Sequence, residues 1–459
     1  MPGDPQAGAY RPETRILELG EAFYDAVAAA DFPRAILRFR NDRAAASVGL
    51  DGLSDEDWIR HFARFQPLPD NLPEPLALRY HGHQFRVYNP DIGDGRGFLF
   101  AQLRDAQGRL LDLGTKGSGQ TPYSRFGDGR LTLKGGVREI LATEMLEALG
   151  VETSKTFSLI ETGEALERND EPSPTRGAVL VRLQHSHIRI GTFQRLATLG
   201  ETDNIRKLTD YCLRHYYADE SGDPAILLGQ VATQAARLAA SYIAAGFVHG
   251  VLNSDNIAIT AQSFDYGPWR FTPYWDGHFT AAYFDHQGLY SFGRQPEAIH
   301  WDLVELARSL RAIAEADALT PKLEAFPDLF QEALREALFA RLGIRPTDLA
   351  QDMKLVVAIE EALARQTVTI DRFFFDWRGG RLREGSEGFD EVAALIQTYE
   401  AVPNALAHPY WSDPAPCAMH IEEVEAIWSA IDTADDWSPL HAKIAAIRRL
   451  GEALADANA

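Results

Sequence analysis

The sequence predicts an α+β protein of two lobes, a β-rich amino-terminal lobe followed by a mainly helical carboxy-terminal one. Three observations predict it. Between Leu76 and Gly136 glycines recur among short apolar runs, the texture of strands joined by tight turns. After residue 190 apolar residues fall largely at helical spacing. Within that helical half, one polar stretch from His249 to Asn256 concentrates oxygen-bearing side chains, and an apolar run then leads to Asp265-Tyr266-Gly267. The boundaries that follow are a helical or irregular extension over 1–75, a β-rich lobe over 76–190 and a helical lobe over 191–459.

The 459 residues suffice for two lobes with a cleft between them. Hydrophobic residues make up 45% and charged residues 24%, an ordinary globular balance, and no window is apolar enough to span a bilayer. Met1-Pro2-Gly3-Asp4-Pro5 has neither the basic flank nor the apolar core of a signal peptide. Two cysteines, Cys212 and Cys417, do not make a disulfide framework or a thiolate metal site. A cytoplasmic protein without membrane partners is expected. With 45 basic against 66 acidic residues the net charge is −21, which argues against non-specific nucleic-acid binding. A polyanion bound by such a chain must meet a local basic focus set against the global field.

Taken in order, Leu17–Ala30 reads as an amphipathic helix, and Trp58, Phe62 and Phe65 suggest a second. Pro67, Pro69, Pro73 and Pro75 mark an extended connection. The loop Gly93-Asp94-Gly95-Arg96-Gly97 precedes a hairpin of Phe98–Leu103 and Leu110–Leu113, closed by Lys116. A second loop, Gly117 to Arg130, contains Asp128 and Gly129. This is the basic focus: glycines let backbone N–H groups approach phosphate oxygens, and Arg96, Lys116, Arg125 and Arg130 supply countercharge. No P-loop fingerprint is present, and tight hairpin turns are the other use of such glycines.

Val137–Leu149 has helical spacing and carries Glu139, placed to pair with Lys116 and orient its ammonium toward phosphate. Without Lys116 upstream, Glu139 would read as an exposed helix carboxylate. Thr156–Ile160 and Ala178–Leu183 read as two further strands. Arg182 and Arg189 bracket Gln184-His185-Ser186-His187, two guanidiniums whose forks suit phosphate. Asn204–Tyr217 and Ala225–Ala245 are helices, the second ending at Gly246 and delivering the chain to His249. Further helices are expected near Ile299–Ala314, Leu329–Leu342, Thr347–Arg365, Glu391–Thr398 and Ile421–Ala430.

Kinase-like phosphotransferases bind Mg²⁺ through a loop Asn and the Asp of an Asp-aromatic-Gly turn, hard oxygens that suit a cation bridging nucleotide phosphates. Asn256 and Asp265 have that order and spacing, with Ile257, Ile259 and Phe264 reading as a hairpin between them. A surface hairpin with an Asx-rich turn satisfies the same residues. The glycine loop, Lys116, Glu139, the His249-Gly250 loop with Asn256, and Asp265 nonetheless fall in the order of a protein-kinase-like bilobal fold, with a nucleotide-binding N-lobe and a C-lobe carrying the catalytic and metal loop. Small-molecule phosphotransferases begin this loop His-Gly-Asp. Here Val251 stands in place of their Asp, and an apolar side chain cannot accept a proton. Asp255 is the only carboxylate within the loop.

Several runs together carry a resemblance: Lys116-Gly117-Ser118-Gly119-Gln120-Thr121-Pro122-Tyr123-Ser124-Arg125, Asp128-Gly129-Arg130, Val137-Arg138-Glu139, Ser186-His187-Ile188-Arg189, His249 through Asn256, and Asp265-Tyr266-Gly267-Pro268. The chain closely resembles the selenoprotein O family of pseudokinase-like adenylyltransferases, most strongly over its first two thirds. The resemblance implies ATP bound in a flipped orientation, with AMP transferred to Ser, Thr or Tyr hydroxyls of protein substrates and pyrophosphate released. It implies that Gly93, Gly95, Arg96, Lys116, Asp128, Gly129, Arg182 and Arg189 surround the nucleotide and that Glu139 orients Lys116. Asn256 and Asp265 would hold Mg²⁺ or Mn²⁺, and Asp255 would take the proton. Many family members carry a cysteine or selenocysteine near the C-terminus, whereas this chain ends Leu454-Ala455-Asp456-Ala457-Asn458-Ala459, so redox control through a terminal thiol is not expected. An ordinary phosphotransferase and a nucleotide-binding scaffold without turnover are the competing readings; Val251 argues against the first and the intact Asp255, Asn256 and Asp265 against the second.

Overall fold

An antiparallel sheet forms where short apolar runs alternate with glycines. The protein, a computed structural model, is described over residues 8–169, 171–381 and 388–455; Met1–Pro5 and Asp456–Ala459 lie outside the described residues. The strands up to residue 190 are β1 (Pro12–Glu13), β2 (Tyr24–Ala26), β3 (Ile36–Arg40), β4 (Leu76–Leu78), β5 (Gly82–Gln84), β6 (Val87–Asn89), β7 (Leu99–Arg104), β8 (Leu110–Lys116), β9 (Leu131–Thr132), β10 (Lys155–Leu166) and β11 (Thr175–Gln184). The main sheet runs β2-β4-β7-β8-β11-β10-β3, with β1 against β7 and β9 against β11, while β5 and β6 form a separate hairpin.

Helices α1 (Asp42–Ser47) and α2 (Asp55–Phe62) cover one face of the sheet and α3 (Leu133–Ala148) the other. On the first face Trp58 stacks on Phe157 at 4.9 Å. On the second, Val137, Ile140 and Leu141 are buried with Leu159 and Leu180. Thr132 caps α3 by accepting from the Gly135 N–H at 3.1 Å.

The remaining chain is mainly helical: α4 (Ile190–Thr198), α5 (Thr202–Tyr216), α6 (Pro224–Ala245), α7 (Gln295–Leu310), α8 (Ala316–Glu324), α9 (Phe326–Leu342), α10 (Leu349–Leu363), α11 (Ile370–Asp376), α12 (Asp390–Ile396), α13 (Ile421–Ala434) and α14 (Ser438–Ala455). Helix α6 has Asp223 as N-cap, Pro224 in its first turn and Gly246 as a left-handed stop, so its 22 residues end where a short strand pair, β12 (Phe247–Val248) with β13 (Arg270–Phe271), turns the chain into His249. Helix α14 returns to pack on α3, with the Arg448 guanidinium paired to buried Glu144 at 2.8 and 2.6 Å. No helix among the described residues is long and apolar enough to cross a membrane.

Two local expectations fail. Leu17–Ala30 is not a helix: a single 3₁₀ turn over Arg15–Glu18 stops at left-handed Gly20, and Tyr24–Ala26 joins the sheet by pairing with Leu76–Leu78. Ile257–Phe264 is not a hairpin. Its backbone bonds go elsewhere, Ile257 O to Ile190 N at 3.0 Å, Ile259 N to Ile188 O at 2.9 Å, and Ser263 N to Glu152 O at 2.8 Å.

Candidate active site

A cleft of about 930 Å³ opens between the glycine loops of the sheet and the 249–267 segment. Its roof consists of the two loops the sequence singles out, locked together: Gly117 N donates to Arg96 O at 2.7 Å, and Thr121 Oγ1 to Asp94 O at 2.5 Å. Gly93, Gly95 and Arg96 line the cleft from the first loop, Asp128 and Gly129 from the second. Glycine is needed where the loops meet. A Cβ on Gly93 would lie 2.5 Å from the Tyr123 ring, and one on Gly129, at φ +69°, would lie 2.2 Å from Gly119 O. Tyr123 in turn donates its hydroxyl to Asp25 on β2, which also holds Arg79 at 2.9 Å. Asp128 accepts from Arg130 N at 2.9 Å and pairs with Arg168 at 2.9 Å, bonds that outweigh burial and hold its carboxyl below the usual range.

The floor is a knot of charge. Lys116 ends β8, is almost wholly buried, and sets its ammonium between Glu139 of α3 and Asp265, the latter at 2.7 Å. Arg182 Nη1 stands 3.6 Å from Asp265, and Arg189 Nη1 stands 4.0 Å from its other oxygen. Burial by itself would raise the Asp265 pKa, but Lys116, Arg182 and Arg189 more than offset that and hold it well below the ordinary carboxylate value. Asp265 adopts φ +63°, a left-handed turn. Arg189 also reaches Asp94 at 3.3 Å and the Asp255 carbonyl at 2.7 Å, and lies over the Tyr80 ring at 4.4 Å. Arg182 Nε and Nη1 and Arg189 Nε are buried without a hydrogen-bond partner. Buried guanidinium donors in surplus are what a bound anion would satisfy.

The loop from His249 is held rigidly. The buried His249 ring bonds Phe264 O through Nε2 at 2.9 Å, and burial keeps its pKa below the ordinary value. Asn253 Oδ1 accepts from Phe85 N at 3.0 Å and from the Tyr290 hydroxyl at 2.6 Å, while Ser254 Oγ accepts from His83 N at 2.8 Å and donates to Gln194 Oε1 at 2.5 Å. Asp255 follows on a 3₁₀ turn, 6% exposed. Its Oδ1 has no hydrogen-bond partner, and Gln84 Nε2 lies 3.5 Å from Oδ2. Burial pushes the Asp255 carboxyl up to about 6, against the opposing pull of Arg189. Asn256 turns its amide N–H onto Val251 O at 3.1 Å. Val251, Asp255, Asn256 and Asp265 all face the cleft.

The structure therefore brings every sequence-predicted site residue to the cleft wall, save Glu139, which lies behind Lys116. Among the cleft residues that escaped the sequence reading of the site are Tyr80 and Gln84, which lie in the β-rich lobe ahead of the first glycine loop, Arg168, which follows β10, and Tyr283. Asp94 was visible between two glycines, but nothing local marks it as the partner of Arg189. Among the described residues no group of three or more His, Cys, Asp or Glu side chains suits a metal. Hard oxygens on Asn256 and Asp265, in a cleft with spare anion donors, instead fit a cation shared with phosphate.

The sequence family described as protein adenylyltransferase SelO matches residues 8–412. Three curated relatives carry the name protein nucleotidyltransferase YdiU. That of Synechococcus elongatus is 41% identical, over 97% of this chain and 96% of its own. That of Trichormus variabilis is 40% identical over 96% of each, and that of Gloeobacter violaceus 42% over 95% of each.

Proposed function

The chain belongs to the SelO family of protein adenylyltransferases, and from that premise we propose that it transfers AMP from ATP to Ser, Thr or Tyr hydroxyls of protein substrates within a protein-kinase-like bilobal fold. The observation that carries this reading is that two buried guanidiniums with spare N–H donors share the cleft with a buried carboxylate, Asp255, one of whose oxygens has no hydrogen-bond partner, four residues beyond apolar Val251. Guanidinium forks suit the outer phosphates, and an inner phosphorus then faces Asp255.

In that arrangement Asp255 accepts the proton of the acceptor hydroxyl as its oxygen attacks the α-phosphorus. The bond between the α-phosphorus and the α,β-bridging oxygen breaks, and pyrophosphate leaves with the charge that Lys116, Arg182 and Arg189 face. Glu139 keeps Lys116 on the floor, while Gly93, Gly95, Arg96, Asp128 and Gly129 shape the roof. Asn256 and Asp265 would hold Mg²⁺ or Mn²⁺, which supplies charge neutralisation to the phosphates when bound.

Incubation with ATP labelled at the α-phosphate is expected to label protein and release unlabelled pyrophosphate. Label arriving only from the γ-phosphate would instead establish an ordinary phosphotransferase. Binding of nucleotide without label from either position would leave a scaffold.

A further inference from the structure

Three exposed large apolar side chains lie on the two segments that bind the loop carrying Asp255: Val87 at 69%, Tyr283 at 80% and Phe284 at 41%. Tyr283 lines the cleft itself, and its ring meets Phe284 edge-on at 5.1 Å. Phe284 leans on Phe85 at 5.9 Å, in the turn of the β5–β6 hairpin. Val87 pairs across that hairpin with Gln84, whose side chain approaches Asp255.

These two segments are not loose. Asn253, two residues before Asp255, accepts from both of them, through Phe85 N and the Tyr290 hydroxyl. Asp285 closes the turn after Phe284 by accepting from Leu289 N and Tyr290 N, each at 2.8 Å. The apolar surface is thus fixed in register with Asp255. The nearby charges are engaged with one another: Glu297 pairs with both Arg86, at 2.9 Å, and Arg294, at 3.0 Å, one carboxylate between two guanidiniums. An apolar surface held in place beside the cleft selects chiefly by burial.

We propose that Val87, Tyr283 and Phe284 form the docking platform for the protein substrate, seating apolar side chains that flank the acceptor hydroxyl in an extended segment. This rests on the AMP-transfer reading above. The occupant is a polypeptide because the platform abuts Asp255 and lies outside the guanidinium floor.

The test uses synthetic peptides with a central Ser, Thr or Tyr and randomised flanks, incubated with the full chain and α-labelled ATP, the modified peptides being sequenced by mass spectrometry. Enrichment of Leu, Ile, Val, Phe or Met at the flanks is expected. For an enriched peptide, Val87→Ser combined with Phe284→Ser should raise KM about tenfold, as loss of one well-buried apolar contact would. Affinity for a non-hydrolysable ATP analogue should not change. If the double variant melts early, Val87→Ser alone, at a highly exposed position outside the cleft lining, carries the same measurement. Modified peptides without apolar enrichment, an unchanged KM, or a parallel loss of analogue binding would each overturn the platform. Failure of the unaltered chain to label any peptide or protein from α-labelled ATP would overturn the transfer reading itself.

Discussion

Glu139 offers the sharpest check on how the floor works. Its carboxylate and the Lys116 ammonium are 1% and 5% exposed, so Glu139→Ala takes from a buried charge one of its two carboxylate partners and leaves a void, at a cost of up to about 3–5 kcal/mol. That is a large share of the roughly 5–15 kcal/mol that holds a typical domain together, and the variant should express poorly. Glu139→Gln keeps the volume and an acceptor oxygen but drops the charge. Lys116 then answers to Asp265 alone, 2.7 Å away. At an effective dielectric near 20, unit charges at that distance attract by about 6 kcal/mol before desolvation is counted. The ammonium should therefore swing onto Asp265 and away from the phosphates. A displacement of about 1 Å at a reacting centre costs on the order of a hundredfold in rate. Single-turnover transfer from α-labelled ATP, run beside analogue binding and a thermal melt, should show that loss in the chemical step with binding changed less than tenfold. Transfer by Glu139→Gln at the unaltered rate would refute the role given to the pair.

Further outcomes are expected. Asp255→Asn should lower transfer by about 10²–10⁴-fold while nucleotide still binds. Because burial raises the Asp255 pKa to about 6, the native state holds its proton more tightly than the unfolded one, and ionisation costs stability as pH rises from about 4 to 6. The same variant should therefore melt higher at pH 7, by up to about 3 kcal/mol, with the gain gone below pH 4, while transfer by the unaltered chain should fall as pH drops through about 6. Arg189→Lys removes the fork that spans Asp94 and the Asp255 carbonyl, and equilibrium titration should show weaker nucleotide binding. Chelation of divalent cations should stop transfer, and added Mg²⁺ or Mn²⁺ should restore it; full activity in chelator would remove Asn256 and Asp265 from their role. Arg448→Ala should destabilise the chain by roughly 1–3 kcal/mol in denaturant titration, less than a fully buried pair because Arg448 is 29% exposed.

What the sequence revealed of the site was what local order carries. Lys116 at a strand end and Glu139 on the next helix are 23 residues apart, and the elements between them leave little choice but to face them. The glycine loops announce themselves by composition. What failed depended on distant backbone. Leu17–Ala30 has a plausible helical pattern, but Gly20 interrupts it and Leu76–Leu78 offers a ladder from the far side of two helices. Ile257–Phe264 looks like a hairpin because it is short and apolar, yet its hydrogen bonds go to residues 188–190 and 152, which no window around residue 260 contains. The Arg189–Asp94 pair, 95 residues apart, was hidden for the same reason. The acidic pattern of the loop was legible, whereas its rigidity, set by Asn253 and Ser254 binding the β5–β6 hairpin, was not.

The same pairings explain why Asp255, of all the carboxylates at the cleft, suits proton transfer. Glu139 and Asp265 share Lys116, Asp94 has Arg189, and Asp128 has Arg168. Each of these is matched by a cation. Arg189 does touch Asp255, but at the backbone carbonyl, 2.7 Å away, and not at the carboxylate. The carboxylate is left with burial, a distant amide and one unpartnered oxygen, and its pKa rises where those of Asp265 and Asp128 are held down. A chain of net charge −21 thus sets its buried cations against the acids of the floor and roof, and leaves the Asp255 carboxylate at the cleft wall without one.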